Sequence, residues 1–262
     1  MSTLTGYLTI ANNLSRYKAM TANDPLVAQA TRYFQANISA IKTPKQLVSN
    51  TRIFNYVMNA FGLHDMTYAK ALIQKVLEQG TSRPEALANK LNNPNILALA
   101  NAFNFPLYGD LTTQTIAATS GVVGKYVMQA LENDEGKQNP GVQLALYFQQ
   151  NASMIRDGYS ILADKNLLTV VQTALGISPY TSLENIDRQA KQFNGLLTYS
   201  DFQDPTKVRN FLERFTAQYD VVNPAVSSSG KVSAVVGAIG GTSTVSFSTD
   251  LLMAIQNLKA GG

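Results

Sequence analysis

Residues 33–41 read Tyr-Phe-Gln-Ala-Asn-Ile-Ser-Ala-Ile, and residues 147–155 read Tyr-Phe-Gln-Gln-Asn-Ala-Ser-Met-Ile. The two stretches lie 114 positions apart, and the register continues outward without a gap. Ala60 falls on Ala174, Gly62 on Gly176, and the conservative pairs Asn50/Asp164, Ile53/Leu167, Phe54/Leu168 and Val57/Val171 fill the space between. Upstream, Asp24-Pro25 meets Asn139-Pro140 after one gap; downstream, Asn93-Pro94 meets Asp204-Pro205 after a short deletion. Self-similarity of this length, in one order, reads as an internal duplication.

Each copy carries helical periodicity. Val27, Ala30, Phe34, Ile38 and Ile41 recur every three or four residues, and so do Val142, Ala145, Phe148, Ala152 and Ile155. That spacing places the apolar side chains on one stripe of a helix, whereas a half-buried strand would alternate. A second helix is expected through Leu47, Phe54, Val57 and Phe61, echoed by Ile161, Leu168, Val171 and Leu175. A third is expected through Ala69, Leu72 and Val76, echoed by Leu183, Ile186 and Ala190. From these faces, Tyr33, Phe34, Phe54, Phe61, Tyr147, Phe148, Leu168 and Leu175 are expected in the core.

The boundaries agree with the stripes. Asp24, Thr43, Asn93, Asn139 and Asp204 each precede a proline. A short polar side chain can accept a bond from an unpaired amide of the first turn, and proline at the next position lacks only an N–H that had no helical partner. Thr43 with Gln46, Ser82 with Glu85 and Thr181 with Glu184 have capping-box spacing. Gly62 and Gly176 end apolar periods, where a left-handed residue closes a helix. The expected fold is therefore all-α: two tandem copies of a multi-helix unit with amphipathic helical ends. The expected division is residues 1–115 for the first unit with an N-terminal helix, 116–225 for the second, and 226–262 for a Ser/Gly/Val-rich segment and a C-terminal helix. The Thr/Ser/Gly-rich stretch from Tyr108 to Gly124 joins the copies and leads into a helix at Val122–Leu131. Val232–Val236 could pair as a short strand. The ends carry stripes at Leu4, Tyr7, Ala11 and Leu14 and at Phe247, Leu251, Ala254 and Leu258.

Composition narrows the function. The chain of 262 residues is 45% hydrophobic and only 15% charged, with a net charge of +4. A substantial core fits these values, and the polar surface must come largely from uncharged side chains. The basic residues are scattered, without the patch that nucleic-acid binding demands. No cysteine is present, which excludes disulfides, thiolate metal sites and cysteine nucleophiles. Met1 to Met20 lack the basic and apolar blocks of a cleaved secretion signal. Val232–Thr249, the longest uncharged window, is interrupted by Gly237, Gly240 and Gly241, so no membrane span is expected.

Chemistry has few candidates. His64, the only histidine, sits beside Asp65 in a helix-ending turn, and adjacent residues rarely form a catalytic pair with a nucleophile. Glu132, Asp134 and Glu135 before Gly136 lack calcium-loop spacing and read as a solvated helix end. Gly237, Gly240 and Gly241 fit neither the dinucleotide nor the nucleoside-triphosphate fingerprint. No catalytic, cofactor-binding or metal-ligating residue is therefore assigned, no cofactor is expected, and the chain is read as non-enzymatic.

Asp24-Pro25 with Tyr33-Phe34, the turn Ala60-Phe61-Gly62-Leu63, and the run Gly141-Val142-Gln143-Leu144-Ala145-Leu146-Tyr147-Phe148 carry a family resemblance. Ile161-Leu162-Ala163-Asp164, Ala174-Leu175-Gly176-Ile177 and Phe211-Leu212 continue it over most of residues 1–220. Together they resemble a bacterial family of unknown function often encoded among flagellar genes. The resemblance implies a structural or assembly role in the flagellum or its export apparatus, with flagellar components as protein partners, a homo-oligomer left open, and no catalytic residue to carry over. The competing expectation is a cytoplasmic binding module, a chaperone or regulator, with an apolar groove between the repeats.

Overall fold

The computed structural model describes residues 1–224. The expected strand at Val232–Val236, the glycine cluster after it and the helix at Phe247–Leu258 lie outside the described residues. Among those described, regular structure is helical throughout. The chain opens with α1 (Thr3–Ala11), α2 (Leu14–Ala22), α3 (Pro25–Asn37), α4 (Pro44–Ser49), α5 (Thr51–Ala60) and α6 (Lys70–Gln79). It continues through the short α7 (Leu87–Lys90), α8 (Pro94–Ala102), the single turn α9 (Phe105–Tyr108) and the long α10 (Ser120–Gln138). Then come α11 (Pro140–Asn151), α12 (Gly158–Leu162), α13 (Lys165–Leu175), α14 (Ile186–Leu196) and α15 (Pro205–Val222).

The proline-marked starts are capped as their sequences require. Asp24, Thr43, Asn93, Asn139 and Asp204 each accept a first-turn amide with the side chain. Gly62 and Gly176 have φ of +67° and +66°. Behind them, the Leu63 and Ile177 amides reach back to the Met58 and Gln172 carbonyls at 2.8 Å. This closes both helices in the same left-handed way, at positions where a side chain costs about 1–2 kcal/mol.

Two capping-box expectations fail. Ser82 and Glu85 lie in a turn, and α7 starts only after Ala86. Thr181 belongs to a tight 3-10 turn, Pro179–Leu183, and the cap of α14 is Asn185, whose Oδ1 accepts from the Asp187 and Arg188 amides. The expected second helix is also two helices in each half. Asn50 ends α4 and caps α5 through a bond from the Ile53 amide; Asp164 caps α13 through the Asn166 and Leu167 amides. A continuous apolar period concealed both breaks, because each cap takes a place between stripe positions.

The apolar faces gather in two clusters. The first holds Phe34, Leu47, Ile53, Phe54, Val57 and Phe61, with Ile73, Leu99 and Phe103. The second holds Val142, Phe148, Leu167, Val171, Phe193, Leu212 and Phe215. Helix α1 packs on α11 and α15 and gives Tyr7 and Ile10 to the second cluster; Leu4 and Ala11 of the expected stripe are half-buried, and Leu14 begins the separate α2. The Thr3 amide donates to both carboxylate oxygens of Asp220, at 3.2 and 3.0 Å, which holds the start of α1 to the end of α15. Helix α10 serves both clusters, Val122 entering the first and Met128 and Leu131 the second.

Of the eight expected core residues, Phe34, Phe54, Phe61, Tyr147 and Phe148 are buried. Tyr33, Leu168 and Leu175 are only half-buried. Leu167 fills the place next to Leu168, as Ile53 does beside Phe54, but α13 presents only one of the two leucines fully inward. Ala190 of the expected stripe is buried, with Phe193 one turn on along the same face, whereas Ile186, the first residue of α14, is exposed.

Candidate functional site

The two clusters meet at a buried polar junction, built from helix starts. Asn93 caps α8 and so fixes Asn95 in its first turn. Asp164 spends Oδ1 on the Asn166 and Leu167 amides at 2.8 and 3.0 Å, which leaves Oδ2 directed away from α13. Tyr147 of α11 donates its hydroxyl to that Oδ2 at 2.5 Å. Asn95 Nδ2 donates to the Tyr147 hydroxyl at 2.8 Å and to Asp164 Oδ2 at 3.5 Å. All three side chains are buried. Burial, and after it the charge of Asp164, pushes the Tyr147 hydroxyl far above its ordinary pKa, so it remains a donor. Gly62 borders the same place: a Cβ on it would stand 3.4 Å from Gln129 Oε1 and 3.5 Å from Asn95 Nδ2.

Helix α10 adds a carboxyl. Glu132 is fully buried, its Oε2 accepts from Gln129 Nε2 at 3.1 Å, and its Oε1 has no partner among the described residues. Burial pushes its pKa up to about 8, against smaller opposing effects from the Gln129 bond and from Lys125. It is therefore mostly protonated at neutral pH. This corrects the expectation of a solvated acidic cluster. Asp134 fits that expectation, paired with Lys137 at 2.7 Å on the surface, but Glu132 lies one helical face away and points inward. Lys125, half-buried with its ammonium 5.4 Å from the centre of the Phe61 ring, has its pKa lowered by burial.

A space of about 10 Å³, room for one water, lies among Asn95, Lys125, Gln129, Tyr147 and Asn151. Nearby, a cleft of about 210 Å³ runs between Asn89–Leu97 of the first half and Met154–Ser160 of the second. Much of its polar lining is committed to the fold. Asn89 donates to the Thr81 and Arg83 carbonyls, Asn93 caps α8, Asp157 caps α12, and Tyr159 donates to Asp187. Arg156 stands exposed at the edge. The cleft is smaller than ordinary small-molecule pockets, and its lining mixes these polar groups with Ala88, Pro94, Leu97 and Met154.

His64 pairs with its neighbour Asp65 at 3.1 Å on the surface. Among the described residues no three His, Asp or Glu side chains gather as a metal site, and no helix is long and apolar enough to cross a membrane. Chemically, the junction holds two halves together: Asp164 has its oxygens filled by amides, a hydroxyl and an amide group. Sequence reasoning missed it. Its only signal was that Asn50 and Asp164, polar residues inside an apolar period, share one register position.

A family model described as a protein of unknown function (DUF1217) matches residues 60–208, more than half of the chain. The chain belongs to the DUF1217 family. The matched span contains every residue of the junction. A crystal structure of protein AGR_C_984 from Agrobacterium tumefaciens is similar to this DUF1217 chain at 38% sequence identity and a TM-score of 0.80, covering 86% of this chain and 97% of that one. No curated protein matches.

Proposed function

We propose that this DUF1217 protein is a non-catalytic structural or assembly component of the bacterial flagellum that works through protein contacts. The observation that carries the contact reading is a run of exposed apolar side chains on one short segment. Leu107, Tyr108, Leu111 and Ile116 lie within ten residues, and Ile116 is 81% exposed. Large apolar residues gathered on a surface of low charge mark a protein-binding face more often than a solvent face. The flagellar assignment rests on the resemblance of the aligned motifs. The cytoplasmic binding-module alternative gains little from the cleft between the halves, whose volume of about 210 Å³ is below that of ordinary small-molecule pockets.

A tagged copy tests the proposal. It should co-purify with hook–basal bodies, and Leu111→Glu with Ile116→Glu should reduce its recovery there while the circular dichroism of the soluble chain stays unchanged. A tagged wild-type chain found entirely in the cytosolic fraction contradicts the flagellar reading. Undiminished recovery of the double variant contradicts the contact face.

We also infer that the two halves arose by duplication. The element order supports this: α3, a 3-10 turn, α4, α5, a 3-10 turn and α6 in the first half; α11, a 3-10 turn, α12, α13, a 3-10 turn and α14 in the second. Superposition of residues 26–103 on 141–215 across DUF1217 structures tests it. Equivalent helices running in different directions would end the idea.

A further inference from the structure

Glu132 has no evident part in protein contacts, because solvent does not reach it, and no part in the Asn95–Tyr147–Asp164 cluster, to which it makes no hydrogen bond. An ionisable group kept dry, with one oxygen satisfied only by its own helix and the other unsatisfied, is costly and performs no packing that glutamine or leucine could not. Its position gives it leverage. Helix α10 is the element that inserts side chains into both cores, Val122 into one and Leu131 into the other. Glu132 lies next to Leu131 and one turn from Gln129, which borders Gly62 of the first half.

We propose that Glu132 is a proton-operated latch on the junction: protonated, it lets α10 hold both cores together, and release of its proton to water loosens the join between the halves.

The surroundings offer the carboxylate little relief. Lys125, on its own helix, is the cation that acts on it, and Tyr147 of α11 feels its charge with Asp164 beyond. The other helices packed on α10 are α2, α3 and α5. Their charged groups point elsewhere: Arg16 and Arg32 are exposed, Lys18 is at the half-buried margin, and Arg52 is exposed and stacked on Tyr33. Tyr56 of α5 stacks on Tyr126 and donates or accepts at Thr31. An ionised Glu132 therefore finds its hydration only by opening the helix to water.

The sign follows from the two states. Closed, the carboxyl titrates near 8; opened to water, it returns to the ordinary value of 4.5. The closed junction is thus fully favoured below 4.5 and is weakened as pH rises through 8, after which both states are ionised and the effect levels off. Opening should grow about tenfold per pH unit between these limits.

Native-state hydrogen exchange of the full chain, corrected for the intrinsic pH dependence of exchange, reads this directly. From pH 5 to 8, protection of the α10 amides should fall about tenfold per unit in the wild type. In Glu132→Gln, which keeps shape but cannot ionise, it should stay flat. A flat wild-type profile, or the same slope in the variant, overturns the proposal. Should the variant fail to fold, carbon-13 titration of the Glu132 carboxyl in the wild type decides: a midpoint near 8 supports the latch, and one near 4.5 removes it.

Discussion

Tyr33 and Tyr147 open the same triplet in the two halves, yet they do different work. Tyr33 is half-buried, its ring covered by the Arg52 guanidinium at 3.7 Å from the centroid. Tyr147 is buried in the junction, donating to Asp164 and accepting from Asn95. The register partner of Asp164 is Asn50, which caps its helix through the Ile53 amide and has no tyrosine to receive. The neighbouring aromatics differ in the same sense. Phe34 stacks on Tyr56 at 4.4 Å, whereas Phe148 stacks on Phe211 at 5.2 Å and meets Phe202 edge-on. The lesson is that matching local structure can carry different contacts: Tyr33 meets Arg52 at its own surface, whereas Tyr147 joins Asp164 to Asn95 of the other half.

The comparison is sharpened first where the halves should agree. Phe34 and Phe148 are both fully buried at the same register position. Replacing either by alanine should cost about 3–5 kcal/mol in urea unfolding, since the lost contacts leave a cavity. A loss below about 1 kcal/mol for one of them would show that its half carries little of the core.

The halves should part at the internal caps. Asp164→Ala removes two capping bonds and leaves the Tyr147 hydroxyl buried without its acceptor, so a loss of about 2–4 kcal/mol is expected. Asn50→Ala removes one capping bond and should cost about 1 kcal/mol. Equal losses would mean that the junction bond adds nothing to the cap.

The left-handed glycines give a smaller effect. Gly176 has open space around its missing Cβ, so Gly176→Ala should cost only the backbone strain, about 1–2 kcal/mol. At Gly62 the added Cβ would meet Gln129 and Asn95 at ordinary contact distance, so Gly62→Ala should cost a similar strain and its thermal midpoint should lie close to that of Gly176→Ala. A much larger loss at either position would show that its helix ending is held by more than the shared left-handed turn.

Much of the fold was legible because it rests on local chemistry. The Phe34 and Phe148 stripes, the polar residues before prolines and the two closing glycines each act within a few residues of themselves. Errors appeared at helix ends: Ile186 shares a face with Ala190 and Phe193, but as the first residue of α14 it is left outside the core. The junction was not legible. Tyr147, Asp164 and Asn95 are brought together by the docking of three helices, and no sequence spacing encodes that meeting. Glu132 misled for a related reason. Its neighbours Asp134 and Glu135 set a solvated pattern, while helical rotation carries Glu132 to the inner face beside Leu131.

The difference between the two tyrosines is tested most directly by removing one oxygen from each. Tyr147→Phe deletes the donor to Asp164 and the acceptor of Asn95, both buried, and should lower the unfolding free energy by about 1–3 kcal/mol. Tyr33→Phe leaves the ring beneath Arg52 and should change it by less than about 0.5 kcal/mol. Losses of the same size in the two variants, measured by urea unfolding under one set of conditions, would contradict a junction that depends on Tyr147 and not on its register partner Tyr33.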